Sequence, residues 1–313
     1  MLAYALRRVL LAIPVLLVVS VVVFSLLYLT PGDPALVMAG DQATPDQIAR
    51  IRLELGLDQP PVVRFAAWIW RVLHGDLGQS IFSGQPVALL IGQRLEPTLS
   101  LLAASVLTST LLGVPLGIAA AERQGGIVDR GLSILVATSY SVPVFVSGYI
   151  LAFLFASKLH WLPVEGFTPI SDGLVGYLRS LVLPTLTLSL LFGSLLASVT
   201  RASVLETLSQ DYIRTAAAKG AGRLRILFGH ALKNAAVPIV TVIGGGVATL
   251  IGGAVVIENV FAIPGLGTAT VDAILHRDYP VIQGIVLLTS TGYVLVNLAV
   301  DLTYVVLDPR IRY

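Results

Sequence analysis

The sequence predicts an all-α membrane protein with six transmembrane helices, and three observations lead to this prediction. Hydrophobic residues occupy 56% of the 313 positions and charged residues only 12%, about half the charged fraction of a typical soluble domain. Six stretches without a charged residue reach the roughly 20 residues that a helix needs to cross the hydrocarbon core. The basic residues are also distributed unevenly between the segments that connect these stretches. A soluble protein with buried helices is disfavoured, because soluble core helices rarely remain uncharged over such lengths.

Each uncharged stretch is interpreted as one span. In chain order the six are Val9–Leu29, Pro97–Ala121, Gly131–Ser157, Ser180–Thr200, Asn234–Ile257 and Tyr279–Val300. The first follows Arg7 and Arg8, as the apolar part of a signal peptide would. It is too long for that role, and Leu29-Thr30-Pro31-Gly32-Asp33 offers no small-x-small cleavage site. We therefore expect it to be a helix of the mature protein.

The distribution of charge predicts that both termini are cytoplasmic. With the N-terminus inside, the inner segments hold 12 basic and 5 acidic residues, and the outer segments hold 8 basic and 12 acidic residues. The inner side is then +7 and the outer side −4. The opposite orientation would place the excess of arginine and lysine outside, against the positive-inside rule.

The outer segment 30–96 between the first two spans is long enough to fold. Thr44-Pro45-Asp46-Gln47 has the pattern of a capping box with proline at the first helical position, which predicts a helix that ends near Gly56. A second helix is predicted after Pro60-Pro61, with apolar residues at helical spacing. Two interpretations stay open: the helices pack on the outer membrane surface, or they form a small cap over an entry vestibule.

The inner loop 201–233 holds half of the inner basic residues and one short predicted helix. Ser209-Gln210-Asp211 can begin this helix and Gly220 can end it. A water-facing helix of this length is unstable alone, so it needs a partner surface. An ordinary basic loop would satisfy the positive-inside rule, but it would not require a discrete capped helix.

The chain lacks the residue patterns of an enzyme. No GxxxxGK[ST] phosphate loop, no GxSxG and no cysteine occur, and the four histidines are scattered near span ends. We expect no metal site, no cofactor in this chain and no catalytic residues. The net charge of +2 is too small to suggest nucleic-acid binding.

The spans themselves argue against an ion-coupled transporter. Such proteins place ionisable residues near the bilayer midplane, whereas the middles of all six predicted spans are uncharged and Glu258 and Asp301 fall near span ends. The driving force is therefore expected to come from elsewhere. Small residues such as Gly113 and Gly117 predict close helix packing.

A candidate pore-lining stretch lies in the third span. It contains Tyr140, Ser141 and Pro143, and the proline removes a backbone hydrogen bond and can leave a kink. The alternative is a kink with only a packing role.

Several short segments, in this order, resemble the permeases of binding-protein-dependent ABC importers, and more narrowly the B-type permease of the oligopeptide, dipeptide and nickel group. The resemblance covers nearly the whole chain, as a single permease domain 1–313. The matching segments include Pro31-Gly32-Asp33-Pro34, Gly75-Asp76-Leu77-Gly78, Gln210-Asp211-Tyr212-Ile213-Arg214-Thr215-Ala216, Phe261 to Gly267, Arg277-Asp278-Tyr279-Pro280 and Asp308-Pro309-Arg310.

The wider family has a cytoplasmic signature of Glu-Ala-Ala, three residues and Gly, followed later by Pro. Ala216 and Gly220 match it, while Arg214, Thr215 and Lys233 stand where the Glu, the first Ala and the Pro would be. These departures resemble the peptide and nickel branch.

The resemblance implies a type I importer fold in a bacterial or archaeal inner membrane, with membrane lipid around it. It also implies a second homologous permease, two ATPase subunits that bind ATP and Mg²⁺, and an extracytoplasmic solute-binding protein. The loop 201–233 would then be the coupling loop that enters the ATPase. Its coupling residues would be Asp211, Tyr212, Ile213, Arg214, Thr215, Ala216, Ala217, Ala218, Lys219 and Gly220.

Several function hypotheses follow for the chain. The first is the permease of a di- or oligopeptide importer. A nickel or glutathione importer of the same family is an alternative, although the uncharged spans offer no nickel ligands. An ion-coupled secondary transporter and a membrane enzyme or scaffold fit the residues less well.

Overall fold

The computed structural model describes residues 2–29, 35–36, 44–54 and 57–307. These residues are almost entirely helical, which confirms the all-α prediction. Numbered in chain order over these ranges, the α-helices are α1 (Leu2–Leu29), α2 (Pro45–Glu54), α3 (Pro61–Leu73), α4 (Val87–Glu122), α5 (Ile127–Ser141), α6 (Val144–Leu151), α7 (Leu174–Leu208), α8 (Asp211–Ala218), α9 (Leu232–Val260), α10 (Leu266–Leu275) and α11 (Tyr279–Leu307). A π-helical turn, Ala152–Lys158, follows α6, and another, Arg225–Ala231, leads into α9.

Within the described ranges, five helices are long and apolar enough to cross a membrane. They are α1, α4, α7, α9 with its preceding π-helical turn, and α11. A sixth span is formed if α5 and α6 are taken together. The six predicted runs therefore correspond to structural elements in the predicted order.

The third predicted span is not the continuous helix that its uncharged sequence suggests. α5 ends at Ser141, α6 begins at Val144, and their axes meet at an angle of 106°. Pro143 has no N–H, and the residue before it, Val142, takes extended backbone angles, as residues before proline prefer. The predicted position of the kink was thus right, but the observed bend is much larger than a kink within a continuous helix.

Two spans extend well beyond their predicted ends. α4 begins at Val87, so residues up to Glu96 in the segment 30–96 are its first turns, and α7 continues from Arg201 to Leu208. Each helix is about 54 Å long, against roughly 30 Å of hydrocarbon. Charges such as Arg94 and Arg201 mark where a span leaves the membrane, but they do not stop the helix.

The outer segment contains the two predicted helices, α2 and α3. The amide N–H of Thr44 donates to Gln47 Oε1 over 2.9 Å, and the amide of Gln47 donates to Thr44 Oγ1 over 3.4 Å, which confirms the capping box. The expected end of this helix near Gly56 falls outside the described residues. α3 packs on α1, where the ring of Phe24 lies 5.4 Å from Phe65 and 5.6 Å from Trp68.

The core of the bundle lies between α4, α7 and α9. The most extensive helix–helix contact joins α4 to α7. A Cβ atom at Gly113 would lie 2.7 Å from the carbonyl oxygen of Gly193, and one at Gly117 would overlap the carbonyl oxygen of Ala197. The small residues singled out in α4 therefore allow two backbones to approach closely, as expected for GxxxG-type packing.

Candidate functional site

The predicted cytoplasmic helix is present as α8, between the end of α7 and the π-helical turn that begins α9. Asp211 occupies its first turn, where a negative charge is favoured by the helix dipole. Thr215 Oγ1 donates to the carbonyl of Asp211 over 3.0 Å, and Arg214 lies 3.4 Å from the Asp211 carboxylate. Both members of that ion pair are highly exposed, so they support the helix only weakly.

The C-terminal end of α8 is closed by Gly220. The amide of Gly220 donates to the carbonyl of Ala217 and the amide of Ala221 donates to the carbonyl of Ala216, over 2.9 and 3.1 Å. These two bonds form a Schellman motif, which requires a left-handed residue at Gly220, and its φ angle is +83°. The helix proper ends at Ala218, and Lys219 and Gly220 form its terminal turn.

Almost the whole surface of α8 is free of intrachain packing. Ile213 is buried at 6% exposure and Ala216 is half-buried, while the other residues from Asp211 to Gly220 are exposed. Tyr212 keeps 44% of its surface exposed although it is aromatic. The exposed side of the helix is thus a slim alanine face with an aromatic ring and charges at its edges. The helix is packed on this chain mainly through one isoleucine.

Two polar contacts connect this region to the spans and a third joins α7 to α5 beside it, and none of the three could be identified from the sequence. Asn234 Nδ2 donates to the hydroxyl of Tyr212 over 2.9 Å. Arg223 Nε lies 2.6 Å from Glu122 Oε1, and Arg201 donates two hydrogen bonds to the buried carboxylate of Asp129. The sequence counts these side chains only as inner charges or span ends, because their partners are far apart in the chain.

A second polar cluster missed by the sequence lies around Glu258, near the end of α9 that is farther from α8. Its side chain is fully buried, and its carboxylate accepts hydrogen bonds from the Thr98 hydroxyl and from the amides of Gly267 and Thr268, at 2.6, 2.7 and 3.1 Å. The amide of Leu266 donates to Thr98 Oγ1 over 2.7 Å. The first turn of α10 is therefore capped by side chains of α9 and α4.

The candidate pore residues lie at the bend between α5 and α6, on different elements from α8. Tyr140 is 58% exposed, and Ser141 and Pro143 are exposed as well. The Ser141 hydroxyl donates a hydrogen bond to the carbonyl of Ala137 over 2.8 Å, within the last turn of α5. Across the ranges with described side chains, no three His, Cys, Asp or Glu residues come together as metal ligands.

Comparison with known families gives two matches that together cover nearly the whole chain. Residues 113–313 match the binding-protein-dependent transport system inner membrane component. Residues 1–102 match the N-terminal part of the binding-protein-dependent transport system membrane component.

Individual relatives align with this chain from end to end. A probable peptide ABC transporter permease protein of Sinorhizobium fredii is 53% identical over 310 residues, which are 99% of each chain. A putative peptide transport system permease protein of Brucella abortus is 44% identical, with all of both chains covered. The glutathione transport system permease protein GsiC of Salmonella choleraesuis is also 44% identical, again over all of both chains.

Among solved structures, the inward-facing MetNI methionine ABC transporter contains a chain of similar fold. The match has a TM-score of 0.58 and 18% sequence identity, and it covers 70% of this chain and 97% of that one. At this identity the similarity concerns the fold alone.

Proposed function

This chain belongs to the binding-protein-dependent transport system inner membrane components, and we propose that it forms one half of the translocation pore of an ATP-driven importer of small peptides. The observation that carries the substrate class is the end-to-end alignment with permeases named for peptide transport. The relative named for glutathione transport fits the same class, because glutathione is a tripeptide. A second homologous permease would supply the other half of the pore.

The energy would come from two ATPase subunits on the cytoplasmic side, with ATP and Mg²⁺ bound by those subunits. The chain contains no GxxxxGK[ST] phosphate loop, and its spans have uncharged middles. The isolated chain is accordingly expected to bind no ATP. Specific nucleotide binding by this subunit alone, measured by equilibrium titration, would contradict the assignment of ATP binding to separate subunits. An extracytoplasmic solute-binding protein would deliver the peptide.

α8 is proposed as the coupling helix that enters a cleft on one ATPase subunit. Its support comes from the exposure of Ala217 and Ala218, from the tight turn at Gly220, and from the presence of only one fully buried side chain in the helix. A short helix of this kind becomes stable when a partner surface covers it. Closure of the ATPase dimer on ATP would then move α8 and, through it, the spans.

The coupling role is tested with Gly220→Val in the complete transporter, reconstituted in proteoliposomes with its partner subunits. A β-branched residue resists the left-handed conformation at this position, so the end of α8 should be distorted without a change in any span. We expect the complex to assemble and hydrolyse ATP, with uptake per ATP reduced roughly fivefold or more, a typical size for coupling between sites.

Two further variants complete this experiment. Gly222→Val is the matched control, because Gly222 lies in the same loop and has no positive φ, and a Cβ atom there would meet nothing within 4 Å. Ala217→Trp should instead weaken association with the ATPase by steric overlap. Normal assembly and normal uptake in both Gly220→Val and Ala217→Trp would rule out α8 as the coupling helix.

The substrate class is tested on the solute-binding protein that works with this permease. Dipeptides, longer peptides, glutathione and Ni²⁺ are titrated against it separately by calorimetry. Binding of peptides is the expected result. Binding of Ni²⁺ without peptide binding would replace the proposed substrate while leaving the importer function in place.

A further inference from the structure

We propose that Arg223 is a positioning residue that fastens the exit of the coupling helix to the cytoplasmic end of α4, so that movement of α8 is transmitted to the α4–α7 pair. The proposal rests on the proposed function, because it assigns the mechanical path from α8 to the spans. It concerns one ion pair, between Arg223 and Glu122.

Glu122 is the last residue of α4, where an acidic side chain is unfavourable unless a cation compensates it. The carbonyl groups of the last turn carry partial negative charge and lack partners within the helix. Arg223 supplies a compensating positive charge to the carboxylate and a hydrogen-bond donor to a carbonyl group of the last turn. Its Nε lies 2.6 Å from Glu122 Oε1, and one of its terminal nitrogens donates to the Glu122 backbone carbonyl over 3.1 Å.

Arg223 lies only three residues beyond Gly220, the residue that closes α8. The loop between them has little packing of its own: a Cβ atom at Gly220 or at Gly222 would meet nothing within 4 Å. A cleft of about 310 Å³, lined by residues that include Ala121, Leu208 and Leu227, opens beside the loop. The two contacts from Arg223 join this loop to α4 through polar groups, and four residues further on Leu227 packs in an apolar cluster with Ile118 and Ala121 of α4.

The end of α4, to which Arg223 is attached, is itself joined to α7 by several contacts. The buried carboxylate of Asp129 accepts two hydrogen bonds from Arg201 of α7 and one from the amide of Gly125, in the turn that follows α4. The close backbone contact at Gly117 joins α4 to α7 just before this point. Asp129 is at the start of α5, so these contacts join the ends of α4 and α7 through that residue, and we refer to the three contacts together as the α4–α7 unit.

The coupling loop departs from this unit at Leu208, the end of α7, and returns to it through Arg223 at the end of α4. Within the described residues it is also attached through the buried side chain of Ile213 and through the hydrogen bond between Tyr212 and Asn234 of α9. A displacement of α8 therefore acts on the α4–α7 unit at both ends of the loop. If the Arg223 contact is broken, the polar link between the exit of the helix and α4 is lost, and the apolar packing of Leu227 against α4 remains.

The test uses charge reversal in the complete reconstituted transporter. Arg223 is 71% exposed, and exposed ion pairs contribute little to stability, so Arg223→Glu and Glu122→Arg should still assemble and hydrolyse ATP. Each single variant is expected to reduce uptake per ATP hydrolysed about fivefold or more. Arg225→Glu is the control: it makes the same charge change two residues away, at a side chain for which the described structure gives no ion pair.

Rescue separates a specific pair from a general charge effect. The exchanged variant, Glu122→Arg with Arg223→Glu, restores the ion pair but not the hydrogen bond to the α4 carbonyl, so its uptake per ATP should rise above that of both single variants without reaching the original value. Arg223→Lys keeps the charge but not the guanidinium that reaches the carboxylate and the carbonyl together, so its uptake per ATP should lie between the original and Arg223→Glu.

Two outcomes would overturn the proposal. One is wild-type uptake per ATP in both single charge reversals, and the other is an exchanged variant that does not exceed both single variants. If these results occur while Gly220→Val still uncouples transport, the positioning role fails and the coupling helix stands. If Gly220→Val and Ala217→Trp are also without effect, the proposed function of α8 fails as well.

Discussion

The carboxylate of Glu258 connects three helices at the outer end of the bundle. It belongs to α9, receives the hydroxyl of Thr98 from α4, and receives two amides from the first turn of α10. A Cβ atom at Gly265 would overlap this carboxylate, so the loop before α10 can approach it only as glycine. The structure therefore assigns a packing role to an acidic residue at the end of an otherwise uncharged span.

Glu258→Ala is expected to destabilise the protein by roughly 2–5 kcal/mol, because three donors lose their acceptor in a site closed to water and a cavity remains. Glu258→Gln should cost only about 1 kcal/mol, since the amide keeps the shape and one acceptor oxygen. The measurement is thermal unfolding of the purified protein in detergent. Glu165→Ala removes an exposed outer acid and serves as the control, with a change within about 0.5 kcal/mol. Equal melting temperatures for Glu258→Ala and Glu165→Ala would contradict this role.

At the scale of elements, α4 and α7 form the central pair, and their contact depends on small residues. A Cβ atom at Gly117 would overlap the carbonyl of Ala197 and lie 3.1 Å from the amide nitrogen of Arg201. Backbone atoms cannot relieve the overlap by a change of rotamer, as a flexible side chain can. Any added side chain must therefore push the two helices apart.

Gly117→Ala should destabilise the bundle by about 1–3 kcal/mol through this overpacking. Gly252→Ala is the matched control in α9, because a Cβ atom there meets nothing within 4 Å and alanine favours the helix by up to about 1 kcal/mol. Chemical unfolding in mixed detergent micelles measures both. The prediction fails if Gly117→Ala is as stable as Gly252→Ala.

The bend between α5 and α6 raises a separate question at this scale. Irregular backbone at membrane depth is tolerated where protein covers it or where it borders a water-filled cavity. Tyr140, Ser141 and Pro143 remain exposed in the single chain, so they face a partner, lipid or the pathway. The pathway is the proposed location, and the absence of cysteine from the chain makes it directly testable.

Ser141→Cys should react with a water-soluble thiol reagent in at least one nucleotide state of the assembled transporter. Leu17→Cys is the control: Leu17 is 53% exposed in the middle of α1, and α1 packs mainly on α11 at the edge of the bundle, so lipid should protect it. Modification is followed by mass spectrometry. Lack of reaction at Ser141→Cys in every state would assign the bend a packing role instead.

Sequence patterns predicted those elements whose cause is local. Proline and glycine residues allowed α2, α3 and α8 to be predicted. The capping of a helix, its first turn and the left-handed residue at its C-terminal end all depend on neighbouring residues. The break at Pro143 was located but underestimated, because proline inside a helix has no fixed outcome and packing selects it. Glu258, Asp129 and Arg223 could not be assigned partners, because Thr98, Arg201 and Glu122 lie far away in the chain.

At the scale of the whole molecule, the structure provides a check on topology that is independent of charge counting. Arg8, near the start of α1, forms a 2.8 Å ion pair with Asp301, near the end of α11. The start of α1 and the end of α11 therefore lie on the same side of the bundle. This arrangement fits an even number of crossings, with the broken pair α5–α6 counted as one crossing beside the five continuous helices.

Both termini are predicted to be cytoplasmic, because that orientation gives the inner side +7 and the outer side −4. Reporter fusions after Gly40 and after Tyr313, both outside the described residues, should give an outer and an inner signal respectively. A third fusion after Gly220 should also report inside, since the proposed coupling role requires α8 to reach ATPase subunits in the cytoplasm. An outer signal at Tyr313 with an inner signal at Gly220 would mean an odd number of crossings after α8. The Arg8–Asp301 pair could not then form, because its two partners would lie on opposite sides of the membrane.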